Sequence, residues 1–228
     1  MSTTAGSAHD AEPALASVPV ARGIVVLVRH GETEWAAAGR HTGRTDVPLT
    51  PHGEEQAREL AKLLARVLAG YRVVLTLTSP RERARRTADL AGLDATAEPA
   101  LAEIDYGRYE GLTTAAIRTD DDPGWTVWTG GLPEGETLDE VATRVDRLLT
   151  RVKQTLEDAD GDALPPAVVL VGHGHLMRVL AARWIGLSPS AGGMFALGTA
   201  AVSVLGSEHE TPVLVHWNLP ADNGVTTA

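Results

Sequence analysis

Two short apolar runs constrain the fold of this chain more than any other feature. Ile24 to Val28 leads straight into Arg29-His30-Gly31, and Ala167 to Val171 leads into Gly172-His173-Gly174-His175. Each reads as a buried strand that stops at a glycine-flanked histidine. Segments with helical spacing of apolar residues lie between and after them. Such β-α alternation indicates an α/β fold, a three-layer α/β/α sandwich on a mostly parallel central sheet. Open sheets of that kind bind ligands at the carboxyl ends of their strands, and both histidines fall there.

Local signals supply the other elements. Thr50-Pro51 before Glu54-Glu55 opens a helix, because threonine caps, proline suits the first turn and acids favour the positive end. Leu60, Leu63, Leu64, Val67 and Leu68 continue it at helical spacing. Arg72–Thr78 predicts a second strand, Ser79-Pro80 caps a helix running to about Leu90, and Ala95–Ala97 is a short third strand. Helices are expected at Thr113–Arg118, Thr137–Glu157 and His175–Ile185, with Ala200–Leu205 and Pro212–Trp217 closing the sheet as an antiparallel pair. Residues 1–22, rich in Ala, Ser and Thr, are expected to be a disordered extension, 23–219 a single domain and 220–228 a flexible tail. The irregular stretch Asp120–Gly135, with Trp125 and Trp128, could overhang a site.

Composition removes several function classes. A chain of 228 residues can bury a large core. It has no cysteine, which excludes disulfides and thiolate metal sites and suits a reducing cytoplasm. A formal charge of −10 argues against a general nucleic-acid surface. No segment approaches the ~18 apolar residues of a membrane span. All of the 20 basic residues except Lys62 and Lys153 are arginine, the side chain best shaped for bidentate anion contacts.

Four segments converge on phosphate chemistry. Arg29-His30 sets a guanidinium beside an imidazole at a strand end, a pairing suited to holding a phosphoryl group while a ring nitrogen attacks it. Thr78 to Ala88 gathers Arg83 and other basic or hydroxyl side chains at a helix start, where amides also favour anions. Glu103 to Gly111 offers carboxyls that could protonate a leaving alkoxide. His173-Gly174-His175 has the spacing of a metal pair but no obvious third ligand, and its glycines suit close contact with phosphate.

Together these stretches resemble the histidine phosphatase superfamily, the phosphoglycerate-mutase-like fold. The likeness covers Val26 to Trp35, Asp46 to Gly53, Ser79-Pro80 to Thr87-Ala88, Glu103 to Leu112 and Val171 to Gly174, in the family's order. The resemblance implies that His30 is the nucleophile that becomes a phosphohistidine. It implies that Arg29 and Arg83 clamp the phosphoryl oxygens, that His173 adds hydrogen bonds and positive charge, and that Glu103 is the proton donor and later the base. Thr42, Gly43, Tyr106, Gly174 and Arg40 are the expected substrate contacts, and Arg40, Arg44 and Arg108 could grip a second anionic group. No metal or other cofactor is implied. Ala36 stands where many relatives have asparagine, so one phosphate contact is lost or supplied otherwise.

The span from Glu103 to His173 is only 70 positions, without the longer insertion of mutases that shield the phosphohistidine from water. The expectation is therefore a phosphatase for a small phosphorylated metabolite such as a sugar phosphate, similar to broad acid phosphatases and a sedoheptulose-1,7-bisphosphatase. A cofactor-dependent phosphoglycerate mutase, a phosphoprotein phosphatase and a non-catalytic phospho-ligand-binding relative remain open alternatives. No nucleic-acid or membrane partner is expected, and an edge strand near the C-terminus could pair two copies as a homodimer.

Overall fold

The structure, a computed structural model, describes residues 23–161 and 163–221. The extension predicted for 1–22 and the tail from 222 onward lie outside the described residues. The elements are β1 (Ile24–Arg29), α1 (Glu34–Ala37), α2 (Pro51–Val67), β2 (Arg72–Thr78), α3 (Glu82–Leu90), β3 (Thr96–Ala97), α4 (Thr114–Asp120), α5 (Leu138–Asp158), β4 (Pro166–Gly172), α6 (Gly174–Trp184), β5 (Ala201–Glu208) and β6 (Thr211–Pro220). Short 3-10 turns fall at Pro99–Leu101, Gly107–Tyr109 and Pro189–Met194.

The sheet order is β3-β2-β4-β1-β5-β6. β3, β2, β4 and β1 run parallel, while β5 is antiparallel to β1 and β6 to β5. Successive strand side chains point to opposite faces, and β1 and β4 are apolar on both. Val25, Leu27, Val168 and Leu170 pack with Val145 and Leu149 of α5 and Leu176 and Leu180 of α6. Val26, Val28, Val169 and Val171 pack with Leu60 and Leu64 of α2 and Ala84 and Ala88 of α3. Two helical layers therefore enclose the sheet, as the alternation predicts. Each fully buried Leu or Val in them is worth about 1.5–3 kcal/mol relative to exposure.

The helix starts follow their caps, with one exception. The Thr50 hydroxyl accepts from the Gly53 amide, and Thr137 and Glu140 form a reciprocal capping box. Ser79 does not cap α3. That helix begins at Glu82 with Arg81 at the cap position and no side-chain cap bond; the Ser79 hydroxyl, two residues upstream, accepts from the Arg81 amide at 3.3 Å and from His173 at 2.7 Å.

Strand register sets the site. Arg29 lies beside Gly172, and Thr78 beside Val171. The Ser79 amide donates to Val171 O (2.9 Å) and the His30 amide to Gly172 O (3.0 Å). Ser79, His173 and His30 thus leave three neighbouring parallel strands at nearly the same height.

Candidate active site

His30 turns off the end of β1 with its ring 5% exposed. Its Nδ1 lies 2.7 Å from Gly31 O. A carbonyl can only accept, so Nδ1 carries the proton and Nε2 keeps a free lone pair. Burial holds the imidazole pKa well below its usual value, aided by the charges of Arg83 and Arg29 and opposed by the Gly31 carbonyl. The ring is therefore neutral near pH 7.

Gly31 is needed for a close backbone approach; it is not among the positive-φ residues. A Cβ there would sit 2.3 Å from Gly53 O, and one on Gly53 would sit 2.0 Å from Glu32 O. The two glycines let the loop after β1 lie on the first turn of α2. Thr87, wholly buried, anchors the same loop to α3. Its hydroxyl accepts from the Gly31 amide at 3.0 Å and donates to Arg83 O at 2.7 Å.

His173 stands beside His30, ring centroids 5.1 Å apart. Arg83 Nε donates to His173 Nδ1 at 3.2 Å, and His173 Nε2 donates to Ser79 Oγ at 2.7 Å. Both ring nitrogens are thereby occupied. The positive charge expected on His173 is absent, because burial, then Arg83, His30 and Arg29, hold its pKa well below the ordinary value. The charge of this corner belongs to Arg83, which is wholly buried. Its Nη1 donates to Thr45 O (2.9 Å) and its Nη2 to Thr42 O (2.8 Å) and Gly43 O (3.3 Å). Arg83 and His173 do not line the cavity that His30 faces.

That cavity, about 170 Å³, is walled by Arg29, His30 and Glu103. Arg29 Nη1 donates to Leu197 O, while its Nε is buried without a partner. Gly174 makes room for this guanidinium, since a Cβ there would lie 3.3 Å from Arg29 Cζ. The Glu103 carboxylate accepts amides of Ile104 (3.0 Å), His175 (3.0 Å) and Leu176 (2.8 Å). Two of these belong to the first turn of α6, the positive end of that helix.

Of the expected substrate contacts, Arg40, Thr42, Tyr106 and Gly174 line the cavity. Gly43 does not; its amide donates to both carboxylate oxygens of Glu110 (3.0 and 2.9 Å). The Tyr106 hydroxyl and His175 Nδ1 are hydrogen-bonded at 2.6 Å, and burial holds the tyrosine pKa well above the usual phenol value. Arg44 and Arg108 stand off the wall, Arg44 being paired with Asp105 at 2.6 Å. Ala36 does line it, presenting a methyl group.

Sequence reasoning missed Arg178 and gave His175, Ser79 and Thr87 no specific role. His175 and Arg178 line the cavity, and their i, i+3 spacing with Gly172-His173 upstream was a signal that α6 presents both on one face. The hydroxyls of Ser79 and Thr87 carried no such signal, because their partners come from other strands. Neither Trp125 nor Trp128 lines the cavity; each packs 5.2 Å from a histidine that does, Trp125 from His41 and Trp128 from His175. Among the described residues no group of three or more His, Asp or Glu side chains is placed to hold a metal.

Comparison with known proteins places the chain among relatives. The family model described as histidine phosphatase superfamily (branch 1) matches residues 25–220. An acid phosphatase of Mycobacterium tuberculosis is 41% identical over 186 residues, 81% of this chain and 87% of the relative. A sedoheptulose 1,7-bisphosphatase of Saccharomyces cerevisiae is 33% identical over 182 residues, 71% and 67% respectively. The solved structure of a mycobacterial glucosyl-3-phosphoglycerate phosphatase complexed with VO3 superposes with a TM-score of 0.75 at 27% identity, over 86% of this chain and 99% of that one.

Proposed function

The chain belongs to branch 1 of the histidine phosphatase superfamily and is a phosphoric monoester hydrolase; from this we propose that His30 carries the phosphoryl group during hydrolysis of a small sugar phosphate. One observation carries the reading. A neutral imidazole with Nε2 free shares a cavity wall with an arginine whose buried Nε–H has no partner. A buried, unspent donor costs about 1–3 kcal/mol, and a phosphoryl oxygen would satisfy it.

The steps follow from these groups. Arg29 receives the phosphoryl oxygens, and Arg83 adds charge from outside the cavity wall. His30 Nε2 attacks phosphorus in line, so that an N–P bond forms as the bond to the leaving oxygen breaks. Glu103 is the general acid: a carboxyl proton passes to that oxygen as the bond breaks. Water then attacks phosphorus and passes a proton to the Glu103 carboxylate. The N–P bond breaks, its electron pair returns to Nε2, and inorganic phosphate leaves. Because the transferring group spreads its charge over three oxygens, positioning and electrostatics supply most of the acceleration. Thr42, Arg40 and Gly174 border the space left for the alcohol. A cavity of about 170 Å³ suits a metabolite, being smaller than the roughly 300–1,000 Å³ of drug-sized sites. The names of the yeast and mycobacterial relatives point to sugar phosphates.

No helix among the described residues is long and apolar enough to cross a membrane, and we place the enzyme in the cytoplasm. The open edge of β6 is where a homodimer would pair. The test is release of inorganic phosphate from p-nitrophenyl phosphate and sugar phosphates in EDTA, with acid quenching to trap an acid-labile phosphohistidine. His30→Ala should abolish the trapped species and lower turnover by about 10⁴-fold or more. Undiminished activity in a folded His30→Ala protein would falsify the assignment; a mutase or a mere binder would release no phosphate.

A further inference from the structure

Resting on the phosphatase reading, we propose that Asn218 is a positioning residue for the phosphate clamp, acting on Arg29 through the Leu197–Gly198 peptide. The first argument is what holds Arg29. Among the described residues its guanidinium makes one hydrogen bond, from Nη1 to Leu197 O, while Nε is buried without a partner. Leu197 itself lines the cavity. The direction of that one carbonyl therefore sets where the guanidinium points before a substrate arrives.

The second argument is the peptide plane. Leu197 O and the Gly198 amide belong to one trans peptide unit, which is rigid and planar. The Gly198 amide donates to Asn218 Oδ1 at 2.7 Å. A side chain on β6 thus pins one edge of the unit whose other edge holds Arg29. The preceding carbonyl, Ala196 O, accepts from Trp217 Nε1 at 2.6 Å. Without these anchors the unit can rotate, because Gly198 is exposed and glycine tolerates the positive φ that a flip would require. A flipped unit would aim an N–H at Arg29 in place of a carbonyl. Hydrogen bonds in a chain also polarise one another, so the bond to Asn218 strengthens the acceptor that Arg29 uses.

The third argument is the residue and its place in the sheet. Val202 pairs with Leu219 and Val204 with His216, so Trp217 and Asn218 together oppose Ser203 in a bulge. Consecutive side chains of a regular strand point to opposite faces; here both reach the same loop. Asn218 has φ 60°, the left-handed region where glycine is cheapest and asparagine the better-tolerated side chain. Its own amide donates to the buried Ser203 hydroxyl at 3.0 Å. Glycine would meet the backbone requirement equally well. Only a side chain with an acceptor can also hold the Gly198 amide.

The experiment measures orthovanadate affinity by calorimetry, kcat and KM on p-nitrophenyl phosphate, and urea midpoints. Asn218→Gly keeps the backbone and removes the anchor. It should weaken vanadate binding and kcat/KM about tenfold each, the worth of one hydrogen bond, with the urea midpoint little changed. Asn218→Asp, which tolerates the same backbone and retains an acceptor, should recover most of both losses. Trp217→Phe, which keeps an aromatic ring against Phe195 but loses the N–H, should give a smaller loss of the same kind. Wild-type vanadate affinity in Asn218→Gly overturns the proposal, and so does an equal loss in Asn218→Asp. If the wild-type protein binds vanadate but releases no phosphate from any ester, the phosphatase reading falls, and the vanadate affinities of the variants still decide the role of Asn218.

Discussion

Around Arg83 and His173 the polar groups satisfy one another, whereas along α6 they are left open. Arg83 spends donors on three carbonyls and on His173, and His173 spends its remaining nitrogen on Ser79. Facing the cavity, Arg178 keeps an N–H unspent and meets no carboxylate, and Arg40 is exposed with one bond to Gly111 O at 3.3 Å. The buried corner is rigid because every displacement there would strand a charge or a dipole away from water. The α6 side can exchange its contacts for those of a ligand. A site divided this way separates groups that hold the fold from groups whose replacement costs it little.

Acid offers the broadest way to break the contrast, because it acts on both regions. Burial is the leading cause of depressed pKa values at His30, His173, His175 and His41, the last lowered to about 4. In the unfolded chain each takes up a proton near pH 6.5; in the folded protein it does not. The unfolded state therefore binds more protons below that pH, and stability falls as pH falls, by up to about 1.4 kcal/mol per unit for each histidine. For His41 the loss continues down to about pH 4. Urea midpoints between pH 8 and pH 5 should stay level above neutrality and decline steeply below about 6.5. A flat profile through pH 5 would mean that these rings are hydrated and that the buried corner is not preorganised.

Arg83→Met is the sharpest local break. It removes a preorganised charge, for which a loss of about 10²–10³ in kcat is typical of a single electrostatic contact. It also strands the carbonyls of Thr42, Gly43 and Thr45, each costing about 1–3 kcal/mol when left buried without a donor. Activity and urea stability should fall together; wild-type values for both would refute the contrast. The smallest effect is expected at Ser79. Ser79→Ala leaves the His173 Nε2–H without its acceptor, and kcat should drop about tenfold with KM nearly unchanged. Ser79→Thr, which retains a hydroxyl, should restore most of it. If Ala and Thr behave alike, the hydroxyl does not orient His173.

Much of this was legible in the linear chain. The apolar runs before His30 and His173, the caps at Thr50 and Thr137 and the apolar stripe of α5 are local signals, and each element formed where its signal stood. Ser79 was misread for a physical reason. A serine before Pro80 looks like a cap, but the helix starts two residues later, and the hydroxyl is shared between the Arg81 amide and a histidine from another strand. Gly43 was misread likewise, since a free amide in a glycine loop is indistinguishable from one already held by Glu110. The charge expected on His173 failed because protonation depends on burial and on Arg83, ninety residues away in sequence.

Periodicity, capping and the residue types at strand ends were settled by the order of amino acids, because each depends on neighbours within one or two turns. That order sufficed for the α/β class and for the chemical groups. Which nitrogen of His30 is free, what Arg83 holds and which arginines remain unmatched were decided by the tertiary structure. They depend on the register that sets Arg29 beside Gly172 and Thr78 beside Val171, and register is a property of strands brought together from distant parts of the chain.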